Sequence, residues 1–263
     1  MRYIFEDIAR DLKRGLGMWV VVWILALPQV VWSGEVHVAV ASNFLNPLKE
    51  IAASYKQDTG DRLILISGST GKLYAQARHG APFDVLLAAD SKRPALLERE
   101  GVGVMGTRFT YAVGALVLWS LEPGRVRGEE SLAQMNKGKL AIANPKTAPY
   151  GRAAQQALEG LGLWEKLQPL LVRGENIAQT LQFVATGNAR LGFVAKSQMK
   201  DPRFKLKGSS WEVPVDMHEP ILQQAILLKP GFTNASAKQF VKYLQGPVAK
   251  KIIENYGYRF LKD

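Results

Sequence analysis

The chain has 263 residues, of which 47% are hydrophobic and 22% are charged, so it can bury a sizeable core in one or two domains. It contains no cysteine, which excludes disulfides, thiolate metal sites and a cysteine nucleophile. The net charge is +11, but Lys and Arg are scattered along the chain; they are expected on solvated helix faces, and no nucleic-acid partner is predicted.

The N-terminal segment has the pattern of a secretory signal peptide. Basic residues precede a short apolar stretch at 16–27, and the small residues Ser33 and Gly34 follow. The apolar stretch is shorter than the ~20 residues that a membrane-spanning helix needs. The pattern therefore predicts a signal peptide over residues 1–34 and an exported mature protein. An uncleaved membrane anchor is the competing interpretation.

The first half of the mature chain alternates between strand and helix patterns. Period-two or continuous apolar runs predict strands, helical spacing of apolar residues predicts helices, and Gly60 and Gly80 end two of the helices. The predicted strands are 35–41, 62–67 and 83–90, and the predicted helices are 46–60, 71–80 and 92–100. This order predicts a mostly parallel sheet with helices on both faces.

A second α/β unit follows a long β-rich run at 108–120. Its predicted strands are 138–145, 170–174 and 190–196, and its predicted helices are 150–162 and 175–187. A further β run at 223–229 precedes two predicted helices at 235–246 and 247–257 that close the chain. Two such units predict two lobes with a cleft between them. The runs near 111–118 and 223–229 are predicted to cross from one lobe to the other, and a ligand is expected beyond the carboxyl ends of the strands.

Four strand-to-helix turns carry the candidate binding residues. They read "ASN" at 41–43, "GSTG" at 68–71, "PYG" at 149–151 and "GEN" at 174–176. The first N–H groups of a helix lack internal partners and carry partial positive charge, and Ser42, Ser69 and Thr70 add hydroxyl donors. Converging turns of this kind would bind a small anion. The residues alone leave open the alternative that each Ser or Thr only caps its own helix.

The stretch "SGSTGK" at 67–72 is not a nucleotide-binding P-loop. That motif needs Gly five residues before Gly71 and Ser or Thr after Lys72, and this chain has Ile66 and Leu73 there.

Other polar residues favour structural interpretations. Asp84 is expected to bond nearby backbone groups and Asp90 to cap a turn, and the three histidines lack the spacing of metal ligands. Ser42 is not in a G-x-S-x-G motif, so no nucleophile is predicted.

A family resemblance covers nearly all of the mature chain, from about residue 35 to the C-terminus. The segments "VAVASNFLNPLKEIAASYKQDTG", "SGSTGKLYAQARHGAPFDVLLAAD", "ANPKTAPYGRAAQQALEGLGLWEKL" and "GENIAQTLQFVATGNARLGFVAKSQ" resemble the extracytoplasmic molybdate-binding proteins of ABC importers. The resemblance implies a two-lobed α/β fold of the type II periplasmic-binding-protein kind. It implies a mixed sheet flanked by helices in each lobe, with the ligand between the lobes. The lobe segments would be 35–115 and 223–263 for the first lobe and 116–222 for the second.

The same resemblance implies the ligand contacts and the function. The residues expected to bind an oxyanion through hydroxyls and backbone amides are Ser42, Asn43, Ser69, Thr70, Tyr150 and Ile177, with Asn176 beside the last. Of these, Ser42, Thr70, Tyr150 and Ile177 are the expected contacts to molybdate itself. Some relatives have a ligand-binding tyrosine where this chain has Ala195, which leaves one donor unassigned.

The implied protein is a periplasmic carrier that captures molybdate, and also tungstate, for a membrane permease. It is expected to be a monomer without a cofactor and without catalytic activity. Neutral donors favour an anion that carries no proton, because a protonated phosphate would bury an unpaired donor. A binding protein for another tetrahedral oxyanion, such as sulfate or phosphate, is the alternative.

Overall fold

The computed structural model describes residues 33–261. From Gly34 onwards these residues belong to one unit. Apart from Ser33 and Gly34, the predicted signal peptide lies outside the described residues, so it stays a prediction. Among the described residues, no helix combines the length and the apolar character that crossing a membrane requires.

The described strands form two five-stranded sheets. The first has the order β2-β1-β3-β10-β4 and the second the order β7-β6-β8-β5-β9. The strands are β1 (Glu35–Ala41), β2 (Arg62–Gly68), β3 (Val85–Ala88), β4 (Phe109–Gly114), β5 (Leu116–Ser120), β6 (Leu140–Ala143), β7 (Leu171–Gly174), β8 (Leu191–Ala195), β9 (Ser209–Glu212) and β10 (Ile221–Leu227). In each sheet the three strands of the βαβ units are parallel, and the other two pairings are antiparallel. Only β10 of the first sheet and β5 of the second therefore run against the other four strands of their sheet.

Helices cover both faces of each sheet. They are α1 (Leu45–Thr59), α2 (Thr70–Arg78), α3 (Lys92–Arg99), α4 (Glu130–Ala133), α5 (Pro149–Gly160), α6 (Trp164–Leu167), α7 (Ile177–Ala185), α8 (Lys196–Met199), α9 (Ala235–Leu244) and α10 (Pro247–Asn255). The first sheet with α1, α2, α3, α9 and α10 is here called the first lobe, and the second sheet with α4 to α8 the second lobe. The predicted two-lobed α/β fold, with a mixed sheet flanked by helices in each lobe, is confirmed.

The apolar pattern of β1 explains why helices are needed on both of its sides. Val36, Val38 and Val40 pack against α1, α9 and α10 on one face. Ala39 on the other face packs against Leu73 of α2. Since alternate residues of a strand point to opposite faces, a strand that is apolar at successive positions must be covered twice. Burial on both faces places β1 inside the first lobe. The carboxyl end of β1 leads directly into the turn at 41–43.

The chain crosses between the lobes twice. The first crossing is at Ala115, where β4 of the first sheet ends and β5 of the second begins. The second crossing runs through residues 213–220, between β9 and β10. The prediction of a crossing at 223–229 is wrong, because most of those residues form β10, a buried strand paired with both β3 and β4. The division of the lobes at 35–115, 116–222 and 223–263 stays a prediction, and β10 begins at Ile221.

Candidate functional site

The four turns singled out by the sequence meet at one small cavity between the lobes. The cavity lies at the carboxyl ends of β1, β2, β3, β6 and β7. Its lining residues are Ala41, Ser42, Asn43, Gly68, Ser69, Thr70, Ala89, Ala148, Pro149, Tyr150, Asn176 and Ile177. All six predicted contact residues are among them, and no charged residue is. Whether they contact a ligand stays a prediction.

The size of the cavity limits what it can hold. The cavity has a volume of about 10 Å³. Pockets for drug-sized organic molecules have volumes of roughly 300–1,000 Å³. In this arrangement of the lobes, the site suits a very small ligand and excludes a nucleotide, a sugar or a peptide.

The first turn provides a serine hydroxyl beside a buried asparagine. Ser42 is half-buried and follows β1 directly. The side-chain amide of Asn43 donates to Oε1 of Gln223 and to the hydroxyl of Tyr258, each at 2.8 Å. Both hydrogens of this amide are therefore used inside the protein. If Asn43 donates to a ligand, it does so through its backbone.

The second turn contains the best-placed side-chain donors. Ser69 precedes α2 and is 3% exposed, yet it does not cap the helix, and its hydroxyl has no hydrogen-bond partner among the described residues. Thr70 is buried, and its Oγ1 accepts a bond of 3.0 Å from the N–H of Ala89. Since that bond uses a lone pair, the hydroxyl proton of Thr70 remains available for donation.

These contacts bear on the capping alternative. Neither Ser69 nor Thr70 caps α2, and the short 3₁₀ turn at Ser42–Phe44 begins after Ala41 with no side-chain cap. The hydroxyls of the first two turns therefore do not serve the helices that they precede. Buried hydroxyls without partners are uncommon, so Ser69 needs another explanation.

The third turn presents a backbone amide. α5 begins with Pro149, which has no N–H, so Tyr150 supplies the first amide of the helix. Gly151 and Arg152 both bond the carbonyl of Ala148, whereas the Tyr150 amide has no acceptor among the described residues.

The Tyr150 ring itself points away from solvent, towards the first crossing. A Cβ added to Gly114 would lie 2.2 Å from the Tyr150 hydroxyl, so a larger residue there would displace the tyrosine ring. Burial raises the pKa of Tyr150 well above its ordinary value, and the nearby hydroxyl of Tyr258 adds to the rise. The Tyr150 phenol is therefore neutral at neutral pH and adds no charge beside the cavity.

The fourth turn is capped in a way that leaves one amide available. The side chain of Asn176 accepts from the N–H groups of Ala178 and Gln179, at 3.0 and 3.1 Å. The N–H of Ile177 has no acceptor among the described residues, and Ile177 lines the cavity. Asn176 therefore acts as a cap, and the donor that it leaves is the Ile177 amide.

A buried polar cluster behind the site was missed by sequence reasoning. Ser197 of the second lobe donates to the carbonyl of Asn43 at 3.0 Å. The Tyr258 hydroxyl lies 3.1 Å from both that carbonyl and the Ser197 hydroxyl. The cluster joins the first turn, the C-terminal segment and the second lobe. Nothing in the local sequence signals it, because its members are at least 61 residues apart.

Three contacts join the lobes at the rim of the cavity. The N–H of Gly71 donates to the carbonyl of Thr147 at 2.8 Å. Nζ of Lys72 lies 2.9 Å from Oε2 of Glu175. The guanidinium of Arg93 donates to the carbonyl of residue 146 at 3.0 Å. The described arrangement is therefore a closed one. Lys72 does not line the cavity, and its ammonium group pairs with a carboxylate of the other lobe.

The other polar candidates have structural roles. Asp84 accepts from the N–H of His37 at 2.7 Å, and Asp90 accepts from the N–H of Arg93 at 2.9 Å, which confirms their interpretation as backbone-bonding residues. Among the described residues, no group of three His, Asp or Glu side chains is placed to hold a metal ion. The chemistry that the cavity can perform is hydrogen-bond donation to an anion.

Comparisons with known proteins agree with this geometry. Residues 36–259 match the family described as bacterial extracellular solute-binding protein. The chain is similar to the molybdate-binding protein ModA of Azotobacter vinelandii, with 52% identity over 86% of this chain and 90% of that protein. It is similar to ModA of Rhodobacter capsulatus, with 46% identity over 95% and 97% of the two chains. The solved periplasmic molybdate-binding protein of A. vinelandii superposes with a TM-score of 0.83 at 41% identity, covering 86% of this chain and all of that one.

Proposed function

Since the chain belongs to the family of bacterial extracellular solute-binding proteins, we propose that it captures molybdate between its lobes and delivers it to the permease of an ABC importer. Tungstate is expected to bind at the same site, because it is a tetrahedral dianion of nearly the same size. The observation that carries the proposal is the cavity lined by all six expected residues and by no charged side chain.

The unpartnered donors of the cavity account for binding. The hydroxyl of Ser69 is buried and has no partner in the part of the chain that the structure describes, and leaving such a group unpaired costs about 1–3 kcal/mol. An oxyanion would accept its hydrogen bond, together with bonds from the hydroxyls of Ser42 and Thr70. The amides of Tyr150 and Ile177 lie at the N-termini of α5 and α7, where the partial positive charge favours an anion. Asn43 would add its backbone amide beside Ser42.

The neutral lining also supports selection among anions. No carboxylate lines the cavity, so a protonated phosphate would find no charged acceptor for its proton. Sulfate carries no proton but is smaller than molybdate. Donors fixed at the ends of helices could not all reach it, and we expect sulfate to bind more weakly.

The proposed function also includes export and delivery of the anion. The protein is exported by its N-terminal signal peptide and works as a periplasmic monomer. It binds no cofactor and no nucleic acid, and it catalyses no reaction. Its partner is the membrane permease, which receives the anion when the lobes open.

Equilibrium dialysis of the mature protein against molybdate, followed by elemental analysis, tests this function. We expect one molybdenum per chain at saturation. Ser42→Ala and Thr70→Ala should each weaken binding by about 1–3 kcal/mol, since each removes a bond to a charged group. Failure to retain molybdenum would refute the function. Retention that neither substitution weakens would refute the residue assignment alone.

A further inference from the structure

A basic groove lies next to the neutral cavity. It has a volume of about 460 Å³ and shares Ala89 and Pro149 with the cavity lining. Both lobes contribute to it, since its walls include α3 of the first lobe and the segment before and within α5 of the second. The groove therefore adjoins the site and is open to solvent where the lobes meet.

The groove contrasts with the cavity in charge. Its lining has four basic side chains and two carboxylates, namely Lys92, Arg93, Lys146, Arg152, Asp90 and Glu219. Arg93 pairs with Asp90, and Nε of Arg152 lies 3.4 Å from Oε2 of Glu219. That leaves Lys92 and Lys146, both exposed, without a carboxylate partner among the described residues. The groove has an excess of positive charge, with one unpaired lysine on each lobe.

The geometry points to this groove as an outer anion site through which a small oxyanion approaches the inner cavity. This inference rests on the proposed function. It adds the route by which the anion reaches the cavity and a cause of fast association. A site of neutral donors is selective but exerts little long-range attraction. Unpaired lysines at its entrance raise the local concentration of an anion and so accelerate association. Because these lysines do not line the neutral cavity, they accelerate association without relaxing the selectivity of the cavity.

Two lysine substitutions isolate the effect. The variant Lys92→Gln/Lys146→Gln removes the two unpaired charges and keeps side chains of similar length. The control Lys56→Gln/Lys251→Gln removes two exposed lysines on α1 and α10, outside the groove, so it lowers net charge equally. A chase of bound radiolabelled molybdate with unlabelled molybdate gives koff. Equilibrium dialysis gives Kd, and the two together give kon.

We expect the groove variant to slow kon about threefold or more at low ionic strength, with koff unchanged. Its kon should also depend less on salt than that of the control, because salt screens the removed charges. A kon equal to that of the control would overturn the outer site, as would a change confined to koff. Absence of molybdate binding by the unmodified protein would overturn the proposed function as well, so the two failures are distinguishable.

Discussion

Among single residues, Ser69 departs from the usual role of a serine before a helix. Such a serine is expected to cap the helix, but this one is buried, has no partner among the described residues and lines the cavity. The sequence alone left the capping role open. The structure excludes the capping role, because the Ser69 hydroxyl makes no hydrogen bond to the start of α2.

Ser69→Ala should weaken molybdate binding by about 1–3 kcal/mol, which is roughly 5- to 150-fold in Kd. The unfolding free energy should not fall, because the hydroxyl has no protein partner to lose. Calorimetric titration and urea unfolding measure the two effects. Ser67→Ala, an identical change at an exposed position of β2, is the control and should alter neither. A stability loss in Ser69→Ala with unchanged affinity would assign the residue to the fold.

Tyr258 gives the polar cluster behind the site a characteristic pH dependence. Burial raises the pKa of this phenol from 10.0 to about 12. The folded state therefore retains the proton where the unfolded chain releases it. The stabilisation is fully present below pH 10 and is lost as the pH rises towards about 12.

We expect the unfolding free energy to fall over that alkaline range, with a contribution from Tyr258 on the order of 3 kcal/mol. Tyr258→Phe, which cannot ionise, should be less stable near neutral pH because it loses contacts to Asn43 and Ser197. Its stability should decline less steeply above pH 10. Urea unfolding across the range gives both slopes, and equal slopes would contradict the account.

Among the elements, the start of α2 approaches the other lobe closely. A Cβ on Gly71 would lie 2.9 Å from the carbonyl oxygen of Thr147 and 3.0 Å from its Cα. The same glycine donates its N–H across the cleft. Closure therefore requires the absence of a side chain at this position.

Gly71→Ala should separate affinity from stability. Alanine is favoured over glycine in a helix by about 1 kcal/mol, so the variant should be at least as stable as the parent. Closure would meet the backbone of Thr147, and binding should weaken by about 1–3 kcal/mol through overpacking. Gly160→Ala in α5, where a Cβ would meet nothing within 4 Å, is the control and should bind normally. Unchanged affinity in Gly71→Ala would show that the lobes do not close as described.

The sequence predicted elements better than it predicted their partners. The strands and long helices around the four turns could be found, because apolar periodicity and the glycines at helix ends are local signals. The run at 108–120 reads as one β segment, yet it is split at Ala115 between two sheets. The short strand β9 was missed, because its burial alternates weakly and its pairing with β5 is nonlocal.

For the site, the sequence located the turns but not the contacts between them. The cavity residue Ala89 was missed, although it directly follows β3, where the carboxyl-end rule could have found it. The pair Lys72–Glu175 and the bond from Ser197 to Asn43 join residues 103 and 154 positions apart. Such contacts depend on how the lobes meet, and no local pattern encodes that.

At the scale of the whole molecule, a basic protein encloses a neutral site. The net charge is +11, whereas the cavity has no charged residue. In the proposed function these two features serve different steps, because surface charge would act on the approach of the anion and neutral donors in the cavity would act on its selection. The four turns line one cavity in the closed arrangement, so we expect selectivity to be a property of the closed molecule.

Calorimetric titration of the mature protein with molybdate, tungstate, sulfate and phosphate measures directly which anion the cavity selects. We predict tight binding of molybdate and tungstate at one site per chain. Sulfate should bind much more weakly, and phosphate should give no measurable binding at neutral pH. Tight binding of sulfate or phosphate with no binding of molybdate would contradict the account.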